Sequence, residues 1–89
     1  MKTIHKYRVE DCVLMPIDAT ILSVHEQGES LFFWALIDTD NQMVFRNFKV
    51  FGTGWNIPDV DEETDLVYLG TAYPEPFVFH VFEEIRVEK

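Results

Sequence analysis

The chain has 89 residues, sixteen acids against seven bases, a formal net charge of −9 and an aromatic content of 15%. That length predicts a single domain, residues 1–89, near the lower limit for folding without cross-links. The negative charge argues against general nucleic-acid binding, because binding to phosphate backbones needs a basic surface. Cys12 is the only cysteine, which excludes an intramolecular disulfide and a thiolate metal cluster.

Hydropathy bears on where the protein works. No apolar run approaches the roughly 18 residues of a membrane span. The opening residues 1–6 lack the apolar region of a signal peptide. We therefore expect a soluble protein of the cytoplasm that has no contact with a membrane.

Short runs rich in β-branched and aromatic residues follow one another along the chain, and none has helical periodicity over three turns. Turn residues separate these runs. The predicted strands are residues 3–10, 12–15, 19–25, 31–37, 43–51, 66–72 and 77–87. The fold class that follows is all-β: a small antiparallel sandwich or partly open barrel of six to seven strands, with no long helix.

Three connections have distinct characters. Residues 27–30 predict a hairpin turn, and residues 38–42 a second hairpin loop. Residues 56–65 carry five acids and predict a solvated loop, with at most one helical turn at 61–65. A calcium loop is the weaker interpretation there, because the glycine and the terminal glutamate of an EF-hand are missing.

Two of the predicted strands are apolar on both faces. In 31–37 and in 77–82, alternate residues give two apolar sets, whereas a half-exposed antiparallel strand alternates apolar with polar residues. A domain this small cannot cover both faces of both strands. The pattern therefore predicts a homo-oligomer.

One short phrase occurs twice, at residues 50–55 and 68–73: two apolar residues, Gly-Thr, a small residue and an aromatic. One interpretation is structural, with both copies serving as bulges or strand ends whose aromatics fill the core. The other makes the first copy a ligand loop. The second copy has no cation nearby, and we expect it to be structural.

The ligand interpretation rests on chemistry that the first copy brings together. Glycines 52 and 54 would let backbone N–H groups cradle a phosphate, and two isolated cations precede them. The aromatic residue that follows would stack on a base, together with Trp34 or Tyr73. With one histidine added as a possible pocket residue, the candidate ligand-binding residues are Arg46, Lys49, Gly52, Thr53, Gly54, Trp55 and His80.

Catalytic chemistry has little support. Cys12 has apolar neighbours and is expected to be a buried, inert thiol. His5, His25 and His80 occur singly within strands, without the paired spacing of metal ligands. We expect no catalytic residue, no metal site and no cofactor.

Several segments resemble a family of short proteins encoded by bacteriophages and prophages. They are MKTIHKY at 1–7, WALID at 34–38, GTGWNI at 52–57, YLGT at 68–71 and FVFHVFE at 77–83. Many members of that family carry His in place of Trp55. The resemblance implies a non-catalytic phage protein in the bacterial cytoplasm. It also suggests an inhibitor of host defence, like the phage proteins that enclose nucleotide signals between subunits.

Two functions are expected from these observations. The first is an oligomeric, non-catalytic protein that sequesters a small anionic nucleotide signal and so counteracts host defence. The alternative is an acidic inhibitor that binds a host defence protein or nucleic-acid enzyme by mimicking DNA, using the acids of 59–65 with Asp38 and Asp40. An enzyme ranks last, because no nucleophile is paired with a base.

Overall fold

A computed structural model describes residues 1–87. It contains seven strands, and no helix occurs in that part of the chain. The strands are β1 (Lys2–Arg8), β2 (Cys12–Pro16), β3 (Thr20–Gln27), β4 (Ser30–Asp38), β5 (Met43–Gly52), β6 (Thr64–Ala72) and β7 (Phe79–Arg86).

The strands form two antiparallel sheets that pack face to face. One has three strands in the order β1-β4-β3, and the other has four in the order β2-β5-β7-β6. The sheets do not close into a barrel, so the molecule is a sandwich. The predicted all-β class is confirmed, and the predicted strand ends differ from the observed ones by at most two residues.

One of the two predicted hairpin loops is correct. Gly28, with a φ of 63°, lies in the tight turn that joins β3 to its neighbour β4. The prediction for 38–42 is wrong, because that segment carries the chain from one sheet to the other. Both sides of β4 are already paired, with β1 and β3, so β5 finds its partners in the second sheet.

The core lies between the sheets and follows from strand alternation. Phe33, Ala35 and Ile37 of β4 are buried there, and Phe33 meets Phe48 of β5 with ring centroids 4.9 Å apart. The alternate residues of β4 face outward, and Trp34 is 38% exposed. The prediction that this strand is apolar on both faces is confirmed. The oligomer inferred from it stays a prediction.

One ion pair also lies between the sheets. The Arg46 guanidinium donates two hydrogen bonds of 2.6 Å to the carboxylate of Glu83, one from Nε and one from Nη2. Its Nη1 donates a third, also of 2.6 Å, to the carbonyl oxygen of Ala19. Glu83 is the one buried charged residue in the described part of the chain. Three charge-assisted bonds therefore hold this guanidinium between the sheets.

The second copy of the repeated phrase lies in a β-bulge, as the structural interpretation predicts, but its aromatic residue does not fill the core, because Tyr73 is 58% exposed. The register of β6 against β7 shifts between Tyr68 and Gly70. A Cβ at Gly70 would lie 3.1 Å from Cβ of Val24 in the other sheet. Glycine therefore permits the close approach of β6 to β3.

Two smaller predictions need correction. Cys12 is exposed rather than buried, because it begins β2 at the edge of its sheet. Residues 61–65 form a turn in place of a helical turn, and β6 already begins at Thr64. The Asp61 carboxylate closes that turn by accepting bonds from the Glu63 N–H, at 2.9 Å, and from the Thr64 hydroxyl, at 2.8 Å.

Candidate functional site: a cationic aromatic sheet face

The outer face of the three-stranded sheet collects cations and aromatic rings. Residues 2, 4, 6 and 8 of β1 point to this face, because successive side chains alternate along a strand. Register partners lie side by side across an antiparallel sheet, so Lys6 neighbours Trp34 and Arg8 neighbours Phe32. On the other side of β4, His25 is the register partner of Phe32. The residues that we call the cationic face are Lys2, Lys6, Arg8, His25, Phe32 and Trp34.

Lys6 lies over the rings of this face. Its Nζ is 4.6 Å from the ring centroid of Phe32 and 5.8 Å from that of Trp34. It also donates a 2.6 Å hydrogen bond to the side-chain oxygen of Gln27. A cation within about 6 Å of a ring centroid is attracted by the ring quadrupole. The groups that hold the ammonium are therefore all neutral: two rings and one amide oxygen.

His25 supports the rings from the side of β3. Its imidazole is stacked on Trp34 with centroids 4.8 Å apart and an angle of 8° between the planes. It also stacks on Phe32 at 6.0 Å. Its Nδ1 is buried and has no hydrogen-bond partner among residues 1–87. The stacking fixes the orientation of an indole that is still partly open to solvent.

The cationic face differs in charge from the rest of the molecule. β1 carries three of the seven bases of a chain with a net charge of −9. The other bases of the described residues lie within 4.0 Å of a glutamate: Arg46 of Glu83, Lys49 of Glu84 and Arg86 of Glu63. At one end of the face, Lys2 is the register partner of Asp38, whose negative charge offsets the positive charge of the lysine. Lys6 and Arg8 thus place two positive charges on this face.

The glycine loop predicted from the sequence is built differently from a phosphate cradle. Trp55 folds back over the end of β5, and a Cβ at Gly52 would lie 2.5 Å from Cε2 of its indole. The same indole meets Phe79 edge to face, with centroids 5.8 Å apart. Gly54 supplies a turn with a φ of 86°. The indole of Trp55 covers Gly52 and leaves no room for a Cβ there, and the turn at residue 54 needs the positive φ that glycine adopts readily.

His80 joins the two copies of the repeated phrase. Its Nε2 lies 2.8 Å from the hydroxyl of Thr53, and its Nδ1 lies 3.0 Å from the hydroxyl of Thr71. The Tyr68 hydroxyl lies 2.5 Å from the same Thr71 oxygen. Both ring nitrogens are therefore held by threonine hydroxyls. The repeat has a common structural use: each copy places a threonine against one imidazole.

The structure does not bring the two predicted cations to the glycine loop. Arg46 faces the space between the sheets and is committed to Glu83. It is also six residues from Gly52 along β5, which is roughly 20 Å in a strand. Lys49 points to the opposite face of β5 and lies beside Glu84. The prediction placed both cations near the loop because they precede it closely in the sequence. Strand alternation instead puts Arg46 and Lys49 on opposite faces of β5.

The groove beside the loop is mainly aromatic and holds no charged side chain among its described lining residues. Its volume is about 290 Å³. The lining residues are Gly52, Thr53, Trp55, Pro76, Phe77, Val78 and Phe79. Without a cation, this groove is a poor site for a phosphate.

Residues 1–87 contain no cluster of three or more His, Cys, Asp or Glu side chains with the geometry of a metal site. No helix long and apolar enough to cross a membrane occurs in the same residues.

The fold and its charged face define a small β-sandwich domain with one cationic aromatic sheet surface. The chain belongs to the family described as a domain of unknown function, DUF7352, whose model matches residues 1–89. No curated protein matches the chain. No solved structure matches it either.

Sequence reasoning missed most of the cationic face, although one signal for it was present. The even spacing of Lys2, Lys6 and Arg8 places all three on one side of any strand that contains them. Of the aromatic residues on this face, only Trp34 was considered as a stacking partner. Finding Phe32 and His25 beside these cations requires the pairing of β1 and β3 with β4.

Proposed function

We propose that this protein is a non-catalytic binding protein that holds a small anion of the nucleotide class on the cationic face. The observation that supports the proposal is the position of Lys6, 4.6 Å from the centroid of Phe32 and beside the indole of Trp34. A flat base stacks on the same rings, and its phosphate attracts the same ammonium.

Binding would exchange one set of contacts for another. The base takes the place of the Lys6 ammonium over Phe32 and Trp34, while Lys6 swings to the phosphate and exchanges its bond to the neutral Gln27 for one to an anion. Arg8, beside Phe32 in the register, offers a second cation with a fork geometry suited to phosphate. Aromatic stacking contributes about 1–3 kcal/mol per base.

The charge distribution favours a small ligand over a nucleic-acid strand. A polyanion gains affinity from every phosphate that meets a cation, and here only three of the seven bases lie together, on one edge strand of a chain with a net charge of −9. A nucleotide fits between Lys6, Arg8 and the two rings, whereas a long strand would extend over acidic surface.

The resemblance to bacteriophage proteins gives this binding a biological purpose. We propose that the protein acts in the bacterial cytoplasm and withholds a nucleotide signal from a host defence system. Sequestration requires tight binding and no chemistry. Two histidines have structural contacts that suit that role: His80 lies between two threonine hydroxyls, and His25 is stacked on Trp34.

The test is a thermal-shift and calorimetric screen of mononucleotides, cyclic dinucleotides and cyclic oligonucleotides. A ligand at one hundred times its Kd stabilises a one-site protein by about 2.7 kcal/mol. In a Trp55→Phe background Trp34 is the only indole, since the chain has two tryptophans. We expect ligand to quench its fluorescence.

Two variants of equal charge locate the site. We expect Lys6→Ala to weaken binding about tenfold, the loss of one hydrogen bond to a charged group. Arg86→Ala removes a positive charge from the other sheet and should leave the affinity within about twofold. Equal losses in the two variants would show non-specific attraction. A panel with no binder, or binding only to oligonucleotides, would overturn the proposal.

A second candidate function, acidic inhibition of a host protein, is supported by the loop before β6. Four exposed acids lie in this loop and a fifth lies at the start of β6: Asp59, Asp61, Glu62, Glu63 and Asp65. Two hydrogen bonds lower the pKa of Asp61 and so favour its ionised form. The larger effect comes from the Thr64 hydroxyl and the smaller from the Glu63 N–H. Capture of a nucleic-acid enzyme from host lysate, lost in high salt and in an Asp59→Asn, Asp61→Asn variant, would favour this candidate. Capture that ignores both changes would exclude it.

A further inference from the structure

The outer face of the four-stranded sheet carries a second exposed surface, which is apolar. Phe45 of β5 is 68% exposed, and its register partner Leu14 of β2 is 46% exposed. Toward the other side of the sheet, Phe82 meets Phe51 and Tyr68 with ring centroids 5.8 and 5.6 Å away. The residues that we call the apolar face are Leu14, Met43, Phe45, Phe51, Tyr68 and Phe82.

A groove opens on the same face. Its volume is about 260 Å³, and Phe51, Pro58, Val60 and Leu66 supply apolar walls. Lys49 and Glu84 complete the lining and lie 4.0 Å from each other. The groove is suited to one apolar side chain, and the two charges beside it compensate each other.

From these features we propose that two copies of the chain form a dimer through their apolar faces, with Phe45 of each copy inserted into the groove of the other. This inference does not depend on the proposed ligand. Phe45 and Phe51 lie on one strand and face the same way, roughly 20 Å apart. A two-fold axis lying in the interface halfway between projection and groove exchanges them, which is the requirement for an isologous contact.

A second copy fits this face because the face carries both the projecting Phe45 and the groove that would receive it. Two chains of net charge −9 repel each other over most of their surfaces. On the strands of this face the charged side chains are Lys49, Glu84 and Arg86, which have mixed signs. Contact between these strands therefore adds little repulsion, and the acids nearest the groove are those of the loop that supplies Pro58 and Val60. The contact covers the aromatic rings that the sheet leaves open.

A dimer of this kind leaves the three-stranded sheet free, because the outer faces of the two sheets lie on opposite sides of the sandwich. The cationic faces would point outward, on the opposite side of each copy, and would remain open to ligand.

Light scattering coupled to size exclusion tests the proposal. We expect twice the 10.5 kDa mass of the chain at micromolar concentrations, and the mass of one chain for Phe45→Glu. Ile4→Glu is the matched control, because Ile4 is 59% exposed on the outer face of the other sheet. That variant should remain dimeric. Circular dichroism confirms that each variant is folded, and Phe45→Ala provides a milder change.

Cross-linking tests the predicted contact itself. In a Cys12→Ser background, Phe45→Cys with Val60→Cys should form a disulfide between chains under mild oxidation, whereas Ile4→Cys with Val60→Cys should not. A wild-type chain that remains monomeric throughout the micromolar range overturns the proposal. So does a Phe45→Glu variant that is folded and still dimeric.

Discussion

A basic side chain lies in the space between the sheets, and another lies on the cationic face. The first is enclosed with an acid, whereas the second is exposed and contacts only neutral groups. Arg46 is enclosed with Glu83 and makes three hydrogen bonds of 2.6 Å. Lys6 stays outside, against two rings and a neutral amide. A buried charge must keep its partner, because losing the partner leaves an ion without water. An exposed cation can exchange partners at little cost, so the outer face is the one suited to ligands.

The largest effect should come from breaking the enclosed pair. We expect Glu83→Ala to lower the free energy of unfolding by about 3–5 kcal/mol, because it leaves the Arg46 guanidinium without its main acceptor. Urea denaturation measures the change. Lys6→Ala is the control from the other region and should remain within about 0.5 kcal/mol of the wild type.

Replacing both partners distinguishes the charge from the packing. Arg46→Met combined with Glu83→Leu should recover most of the stability lost in Glu83→Ala, since apolar residues of similar volume often substitute for a buried ion pair. A double variant as unstable as the single one would mean that the bond from Arg46 to the Ala19 carbonyl is the essential contact.

A smaller effect is expected where the sheets come closest. In Gly70→Ala the new Cβ would lie 3.1 Å from Cβ of Val24. Overpacking of this kind costs about 1–3 kcal/mol, and the gain from replacing a strand glycine offsets about 0.5–1 kcal/mol. The expected loss of stability is therefore about 1 kcal/mol. It should shrink in a Val24→Ala background, because this change keeps Cβ but removes Cγ2, which would lie 3.2 Å from the new Cβ.

Gly52→Ala is the matched comparison at the first copy of the repeat. The new Cβ would meet the indole of Trp55 at 2.5 Å, but this ring is 59% exposed and can move outward. We expect a smaller loss of stability than for Gly70→Ala and a red shift of Trp55 fluorescence, measured with Trp34→Phe. An unshifted spectrum would contradict the packing of Trp55 on Gly52.

Sequence patterns predicted the strands better than the relations between them. Alternation in 31–37 assigned Phe33 and Trp34 to opposite faces correctly, because alternation is a property of one strand. The Arg46–Glu83 pair was beyond reach, since it depends on the register that places Phe48 beside Glu83. The crossing at 38–42 was missed for a similar reason: nothing local to that loop shows that β4 is already paired on both sides.

The candidate site shows the same limit. The sequence singled out Arg46 and Lys49 because they precede Gly52 in number, yet a strand sends residues three apart to opposite faces. Lys6 and Trp34 are 28 positions apart in the chain and are brought together only by the pairing of β1 with β4. A ligand face made by pairing is visible once the sheet order is known.

Tyr7 gives the finest test of the comparison, because it is the next residue after Lys6 and points the opposite way. Its ring is half-buried and stacks on Phe33 in the core, with centroids 5.3 Å apart. Burial raises the pKa of the Tyr7 phenol above its usual value of 10.0, since desolvation disfavours the phenolate. The folded state therefore holds this proton more tightly than the unfolded state. The associated stability is fully present below pH 10.0 and is lost as the pH rises through the folded pKa.

Phenolate absorbance measured against pH should show the effect directly. In Tyr7→Phe, a step above pH 10.0 should disappear from the titration, and the decline of stability in alkali should become shallower. Tyr68→Phe is the control, because Tyr68 is 55% exposed on the outer face of the other sheet. If the step lost in Tyr7→Phe lies at or below pH 10.0, Tyr7 faces solvent. β1 would then not separate an inner phenol from an outer ammonium, and the assignment of Lys6 to the cationic face would fail with it.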